Sequence, residues 1–333
     1  MDIYVLDIET TGLDGSPKDL VVEISIMRAN VLKQKIIQVY NSVIHYDTNK
    51  WDDNLRNSWI FRKGVLTVEE IQNAEKDLPT AIEEVKKILS GKFIAAYNNA
   101  FDFDKFLNQE PWNINLESTK TKTAPCIMIT SSEYLRPSGK KYRNRIYKLA
   151  YSRNKLLDAN TESIIINKEL EEEISELEEH RASYDAFYTA CILLELYKRK
   201  QYRIIPQIYY AHSMNIYGKK QEKLELKLIK NVFPKANIIN PAKYEKKWKK
   251  DSGKEIMKKC LDLLSKSDIV VFSAIEHEGG YFVGRGVYVE VKFAEELDKE
   301  VYFLREHLDN VFLLEMFDEN DWISKFGKVK YKE

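Results

Sequence analysis

Cysteine is scarce in this chain of 333 residues: Cys126, Cys191 and Cys260 lie far apart and show no CxxC spacing. That argues against a disulfide framework or a cysteine zinc cluster and makes a reducing interior the default. Net charge is missing too, because 52 basic residues balance 52 acidic ones. No bulk attraction to nucleic acid or membrane follows from composition, so local patches or metal ions would have to hold any polyanion. No apolar run approaches the ~20 residues of a membrane span. No basic leader precedes an apolar core near Met1, so the first segment does not read as a signal peptide. The chain reads as cytoplasmic.

What is present is an ordinary globular composition, 44% hydrophobic and 31% charged, at a length that suggests two domains. Twenty tyrosines could stack on bases or sugars, but packing is the preferred reading. The segments DIYVLDI, VVEISIMRANV and KQKIIQVYNSVI are rich in β-branched residues and predict three meandering strands. LPTAIEEVKKILSG predicts a helix stopped by Gly91, KFIAAYN a short buried strand, and FDFDKFLNQ a helix. TAPCIMIT predicts another strand, and RIYKLAYSRNKLL and HRASYDAFYTACILLELYKRK further helices. Strands followed by alternating strands and helices predict a mixed α/β domain over residues 1–200.

After a junction in YRIIP, a second pattern spans residues 204–333. QIYYAHS, NIINP, SDIVVFSA, EVYFL and FLLEM read as strands, and the helices KLELKLIKNVFP, GKEIMKKCLDLLSKS and GRGVYVEVKFAEELDK alternate with them. Near-continuous apolar strands of this kind predict a smaller parallel, doubly wound sheet. The Lys-rich run KYEKKWKK reads as a solvated surface, with phosphate contact the alternative.

Chemistry concentrates in the first domain. Asp7 and Glu9, at i and i+2 on a strand, point to one face, where two like charges repel unless a cation or a proton intervenes. Asp102 follows the buried strand, four positions after Asn98, and His180 and Asp185 open the long helix. Four acids and one histidine, each at the end of an element, can converge on a cleft. Oxygen donors with little sulfur suit Mg²⁺ or Mn²⁺, and two such ions can activate water and stabilise the leaving oxygen of a phosphodiester. A neutral histidine beside them suits general-base work. Glu23 and Asp104 read as ordinary surface acids. Lys140, Arg143 and Arg145 could contact phosphate or simply line an exposed loop.

In the order DIETTG, YNNAFD and HRASYD, the chain resembles the DEDDh 3′→5′ exonucleases, a family that includes proofreading subunits and RNase T-like enzymes. The resemblance covers residues 1–200 and implies an RNase H-like mixed sheet, two Mg²⁺ or Mn²⁺ ions, and nucleic acid 3′ ends, DNA or RNA, as substrate. It implies that Asp7, Glu9, Asp102 and Asp185 hold the metals. His180 would be the general base, and Thr10, Thr11, Gly12 and Asn98 would lie along the terminal nucleotide. Two departures stand out. Tyr97 occupies a place where the family often has histidine, and one extra residue separates Asp102 from Phe106 and Leu107, which leaves Asp104 as an alternative ligand.

The second domain resembles the nucleoside 2-deoxyribosyltransferase-like superfamily over residues 204–310, through Tyr209, Asp268, a turn expected at the glycine pair Gly284 and Gly286, and Glu290 entering a helix. That resemblance implies a nucleotide or nucleoside ligand, Glu290 as nucleophile on an anomeric carbon, and Asp268 assisting. His212 stands where a small residue is usual. Two functions follow: an exonuclease fused to a nucleotide-binding domain, or a nucleotide-sensing or N-glycosidic-bond-processing protein.

Overall fold

The computed structural model describes residues 1–114, 119–139, 142–157, 164–166, 168–177, 179–277, 280–297, 299–306 and 312–317. Contacts divide the chain into two compact units, Met1–Arg203 and Ile204–Glu333. Both are α/β. Among the described residues no helix is long and apolar enough to cross a membrane.

In the first unit, β1 (Asp2–Thr10), β2 (Val21–Asn30) and β3 (Lys35–His45) form the antiparallel meander that their β-branched runs predict. Three short helices, Asp53–Arg56, Trp59–Arg62 and Val68–Asn73, follow where the sequence suggests no element. β4 (Lys76–Asp77) leads into α1 (Leu78–Leu89), which Asp77 caps by accepting the Thr80 N–H. Ala81, Val85 and Leu89 recur at i, i+4 and i+8 on its buried face, and the chain leaves it through Gly91 at φ +72°. β5 (Phe93–Ala96) then runs parallel to β1, and β6 (Lys122–Thr123) parallel to β5. The mixed sheet has the order β4-β3-β2-β1-β5-β6.

β1 is central and buried on both faces, which is why DIYVLDI does not alternate in hydrophobicity. Tyr4, Leu6 and Ile8 pack into a core with Val85, Leu89, Phe103 and Phe106. The opposite pleat carries Ile3, Val5, Asp7 and Glu9. Across β1 and β2 lies a long helix, reached through α2 (Ile127–Leu135), α3 (Leu149–Leu156) and α4 (Lys168–Glu176), and labelled α5 (Ala182–Lys198).

TAPCIMIT does not form the strand that its β-branched residues predict. Only Lys122–Thr123 pairs as strand, and Ile127–Leu135 is helical. The β-branched residues suggest a strand, but burial follows a helix: Ile127, Ser131 and Ser132 are inside and Ile129 is 47% exposed. The Tyr97 carbonyl accepts the Met128 N–H and draws the segment off the sheet after Pro125. RIYKLAYSRNKLL is helical only from Leu149.

The second unit has the strands β7 (Gln207–Ala211), β8 (Asn237–Ile239), β9 (Ile269–Ser273), β10 (Ile275–His277), β11 (Gly280–Phe282), β12 (Glu300–Glu306) and β13 (Phe312–Phe317). Its sheet order is β13-β12-β9-β7-β8. β8, β7, β9 and β12 are mutually parallel, with α6 (Lys220–Val232), α7 (Gly253–Ser265) and α8 (Arg285–Glu296) as crossovers. β13 departs from the parallel pattern and runs antiparallel to β12. The short link from Glu306 to Phe312 cannot return the chain for a parallel pairing, which needs about a dozen residues or more. The β10–β11 hairpin, absent from the sequence reading, separates β9 from α8.

Candidate active site

Asp7 and Glu9 end the central strand on its helix-facing pleat, opposite Ser25 and Glu23 of β2. The strand register shifts between Glu9 and Thr10, a bulge that turns the following loop away from the sheet. Asp185 lies in the first turn of α5, and His180 sits two residues before that helix at φ +73°. That left-handed conformation is uncommon for a residue with a Cβ and holds the exposed imidazole clear of the helix. One ligand atom each of Glu9, His180 and Asp185 lies within 4.8 Å of the others.

Asp102 comes from the other side of β1. Ala100–Leu107 is a π-helix, in which the Asn108 N–H donates to the Phe103 carbonyl five residues back. Its wider turn absorbs the extra residue seen in the sequence. Asp102 (3% exposed) stays inward while Phe103, Phe106 and Leu107 still reach the core. Asp104 is exposed, pointing away from the cluster. Asn98 accepts the N–H groups of Phe101 and Asp102 on its carbonyl, and Asn99 fastens the same turn to the Ala96 N–H and the Ala124 carbonyl.

Electrostatics set this cluster apart. Burial raises the Asp7 carboxyl well above its usual range, and the charges of Asp185, Asp102 and Glu9 raise it further. Glu9 is raised by burial, then by Asp185 and Glu23, with Arg181 acting the other way. Burial pushes Asp102 up to about 8 against the pull of N–H groups around it, including that of Ile8. Asp185 goes up to about 7, by burial and then the Glu179 charge, opposed by the His180 N–H and Arg153. Crowded carboxylates that share too little positive charge are a donor set for a hard divalent cation. Asp7, Glu9, Asp102 and Asp185 fit that group, as a set of oxygens with at most one imidazole beside it.

The loop after Glu9 is tightly tied. Thr10 Oγ1 donates to the Gly12 carbonyl (2.7 Å), and Thr11 Oγ1 accepts the Leu20 N–H (2.9 Å). The Asp19 carboxylate sits 2.2 Å from where a Cβ on Gly12 would be, so the loop closes over a residue without a side chain.

Three residues around the cluster escape the sequence reading. Glu23 (1% exposed) is no surface acid. It accepts Arg181 Nε and a guanidinium N–H (2.8 Å) together with the Ala182 N–H (3.0 Å), and so fixes the segment bearing His180 to β2. Its partner is 158 positions away, so only the opposite charges hinted at it. Trp59 (44% exposed) meets the His180 ring edge-on at 4.9 Å between centroids. Arg153 pairs with Glu179 (3.3 Å), contacts the Tyr184 hydroxyl and lies over the Tyr188 ring. Tyr97 is structural: its hydroxyl donates to the Tyr147 carbonyl (2.8 Å) and meets Ser152 Oγ (2.9 Å). Arg143 is exposed and Arg145 lies over the Tyr147 ring, while Lys140 falls outside the described residues.

In the second unit, Tyr209 and Glu290 meet: the phenol donates to Glu290 Oε1 at 2.6 Å, and burial pushes the carboxyl up to about 7. Asp268 is elsewhere. It precedes β9 and accepts the Gln207 N–H (2.7 Å) at the amino ends of the strands, whereas ligands of parallel sheets gather at the carboxyl ends. Gly284 and Gly286 form no turn. Gly284 caps α8 at φ −63°, and Gly286 lies in the first turn of that helix, where a Cβ would come within 3.3 Å of the Met257 methyl. His212 is buried and stacked on Tyr210 at 3.9 Å.

No family model and no curated protein matches the chain. Among solved structures, a full-length 3′-exonuclease is similar with a TM-score of 0.39 and 16% identity, over 62% of this chain and 85% of the other. A 3′-exonuclease described for 3′-end specific recognition of a histone mRNA stem-loop is similar at 0.37 and 15%, over 62% of this chain and 86% of its own.

Proposed function

We propose that the first unit is a divalent-metal-dependent phosphodiesterase that removes nucleotides from the 3′ ends of DNA or RNA. The observation that carries this reading is the convergence of Glu9, His180 and Asp185 within 4.8 Å, with Asp185 and Asp102 close enough to Asp7 to raise its carboxyl further. The family resemblance of the three motifs adds the direction of attack.

Asp7, Glu9, Asp102 and Asp185 would hold the cations, which supply charge neutralisation and water activation when bound. His180 takes a proton from the attacking water at its imidazole and passes it to solvent, since it stands exposed at the mouth of the site. The edge of Trp59 limits rotation of that ring. The 11–19 loop borders the site beyond the bulge, where Thr10, Thr11 and Gly12 would meet the terminal sugar. The Thr10 hydroxyl is committed to the Gly12 carbonyl, so backbone groups would contribute most there. The test is digestion of a 5′-labelled oligonucleotide with and without Mg²⁺. Asp7→Ala should abolish the 3′-end shortening and His180→Ala should slow it at least about a hundredfold, and undiminished digestion in both would remove the assignment.

A second reading concerns the second unit. The hydrogen bond from Tyr209 to Glu290 supports Glu290 as the group acting on an N-glycosidic bond. Glu290→Gln assayed against a nucleoside panel tests it, and unchanged base release would dismiss Glu290.

A further inference from the structure

Charge is segregated within the second unit. Residues 219–259 contain fourteen lysines, no arginine and five acidic residues, whereas residues 260–333 contain nine basic residues and sixteen acidic ones. Nine of these lysines, from Lys235 to Lys259, lie on the segment that builds β8, the short helix Glu245–Trp248 and the start of α7, next to the β8 edge; the other five lie on α6 and its cap, and α6 also approaches β13 at the opposite edge. All fourteen lysines are exposed. Among the described residues only Lys259 is in an ion pair, with Asp251 at 2.7 Å. Two of the five acids, Glu222 and Glu225, are buried and turned to internal partners, Asn240 and Tyr210. In KYEKKWKK the aromatic rings face inward: Tyr244 and Trp248 stack at 5.0 Å and join the core cluster, leaving the ammonium groups outside.

We propose that the β8-edge flank of the second unit is a docking surface for the phosphate backbone of nucleic acid. A field of exposed lysines, without arginine forks or an exposed aromatic ring, matches a polyanion held by counterion release without regard to base sequence. The choice of nucleic acid among polyanions rests on the phosphodiesterase reading of the first unit. Tethering a strand on one unit raises its effective concentration at a site on the same chain. A chain with no net charge thereby still concentrates its substrate.

The test is fluorescence anisotropy of the full chain with a 30-nucleotide single strand in EDTA, as a function of salt. Charge reversal at Lys243, Lys246, Lys247 and Lys250 should weaken binding at least tenfold and flatten the slope of log K against log salt by about 3, near 0.7 per lost phosphate contact. The same four positions changed to Gln should give an intermediate loss with an unaltered melting temperature, which separates the effect from misfolding. Reversal of Lys33, Lys35, Lys86 and Lys87 of the first unit should leave affinity within twofold. Equal loss in that control would mean net charge alone is at work and would overturn the proposal. So would unchanged strand binding in the first variant, including the case in which that variant instead loses binding to phosphatidylserine vesicles. Because the binding assay involves no chemistry, failure of the phosphodiesterase reading would appear separately, in hydrolysis of thymidine 5′-(4-nitrophenyl phosphate), a mononucleotide with no further backbone phosphates to dock.

Discussion

Two sets of buried acids in this chain look alike by composition and behave differently. In the first unit, Asp7, Glu9, Asp102 and Asp185 come from three distant segments, and each of Asp7, Glu9 and Asp102 is raised by burial and by Asp185. In the second, Glu290 and Glu225 each meet a tyrosine hydroxyl, Tyr209 and Tyr210, on opposite pleats of one strand. A carboxyl with a phenol donor is already satisfied and can stay protonated in a core. Carboxyls facing one another are not, and they repel unless a cation or a proton intervenes. The partner, more than the burial, separates carboxyls in electrostatic conflict from carboxyls held by a phenol.

Breaking the first set should give the largest effects. His180→Ala should lower turnover on a labelled oligonucleotide by about 10²–10⁴-fold, the range for loss of a general base. Asp7→Asn should take turnover below detection and also raise the melting temperature in EDTA by about 2–4 °C, since relieving like-charge repulsion is worth about 1 kcal/mol. A fall in melting temperature would mean that the acids are not in electrostatic conflict. Next, Glu23→Ala leaves Arg181 unpaired and the Ala182 N–H without its acceptor, and should cost about 3 kcal/mol in urea unfolding of the first unit. Glu23→Gln, which keeps an acceptor, should cost less and retain more activity.

The second set sharpens the contrast through pH. The folded Glu290 carboxyl titrates at about 7 against an ordinary 4.5, so the folded state holds the proton more tightly. Its contribution to stability is fully present below pH 4.5 and is lost as pH rises toward 7, by about 3 kcal/mol in total. Glu290→Gln should remove that slope from the unfolding profile, and an unchanged profile would show that Glu290 is ionised in the fold. The smallest effect belongs to Tyr97→Phe, which should lose about 1 kcal/mol of stability with turnover unaltered, as fits a tyrosine holding α3 rather than substrate.

Much of the framework could be read from the chain itself. Strong β-branched runs marked β1 to β3, and apolar spacing marked α1 and α5. The acids could be singled out because each lies beside a strand end or helix start within a short contiguous motif. What stayed hidden was non-local. Glu23 reads as an exposed strand acid until Arg181 arrives from 158 positions away. The extra residue after Asp102 looks like a defect until a π-helical turn absorbs it. IMIT has strand-forming side chains, but the backbone bond from Met128 to Tyr97 and a buried Ser131–Ser132 face make it a helix. The glycine pair before Glu290 suggests a turn and is instead the start of α8. Local composition carries propensity, and tertiary partners decide among its outcomes.

Calorimetric titration of the full chain with Mn²⁺ at pH 8 puts the whole account to a direct test. Saturable uptake accompanied by proton release, and weakened at least tenfold in Asp7→Asn and in Asp185→Asn, is the predicted result. No saturable uptake, or uptake that both substitutions leave intact, would contradict it.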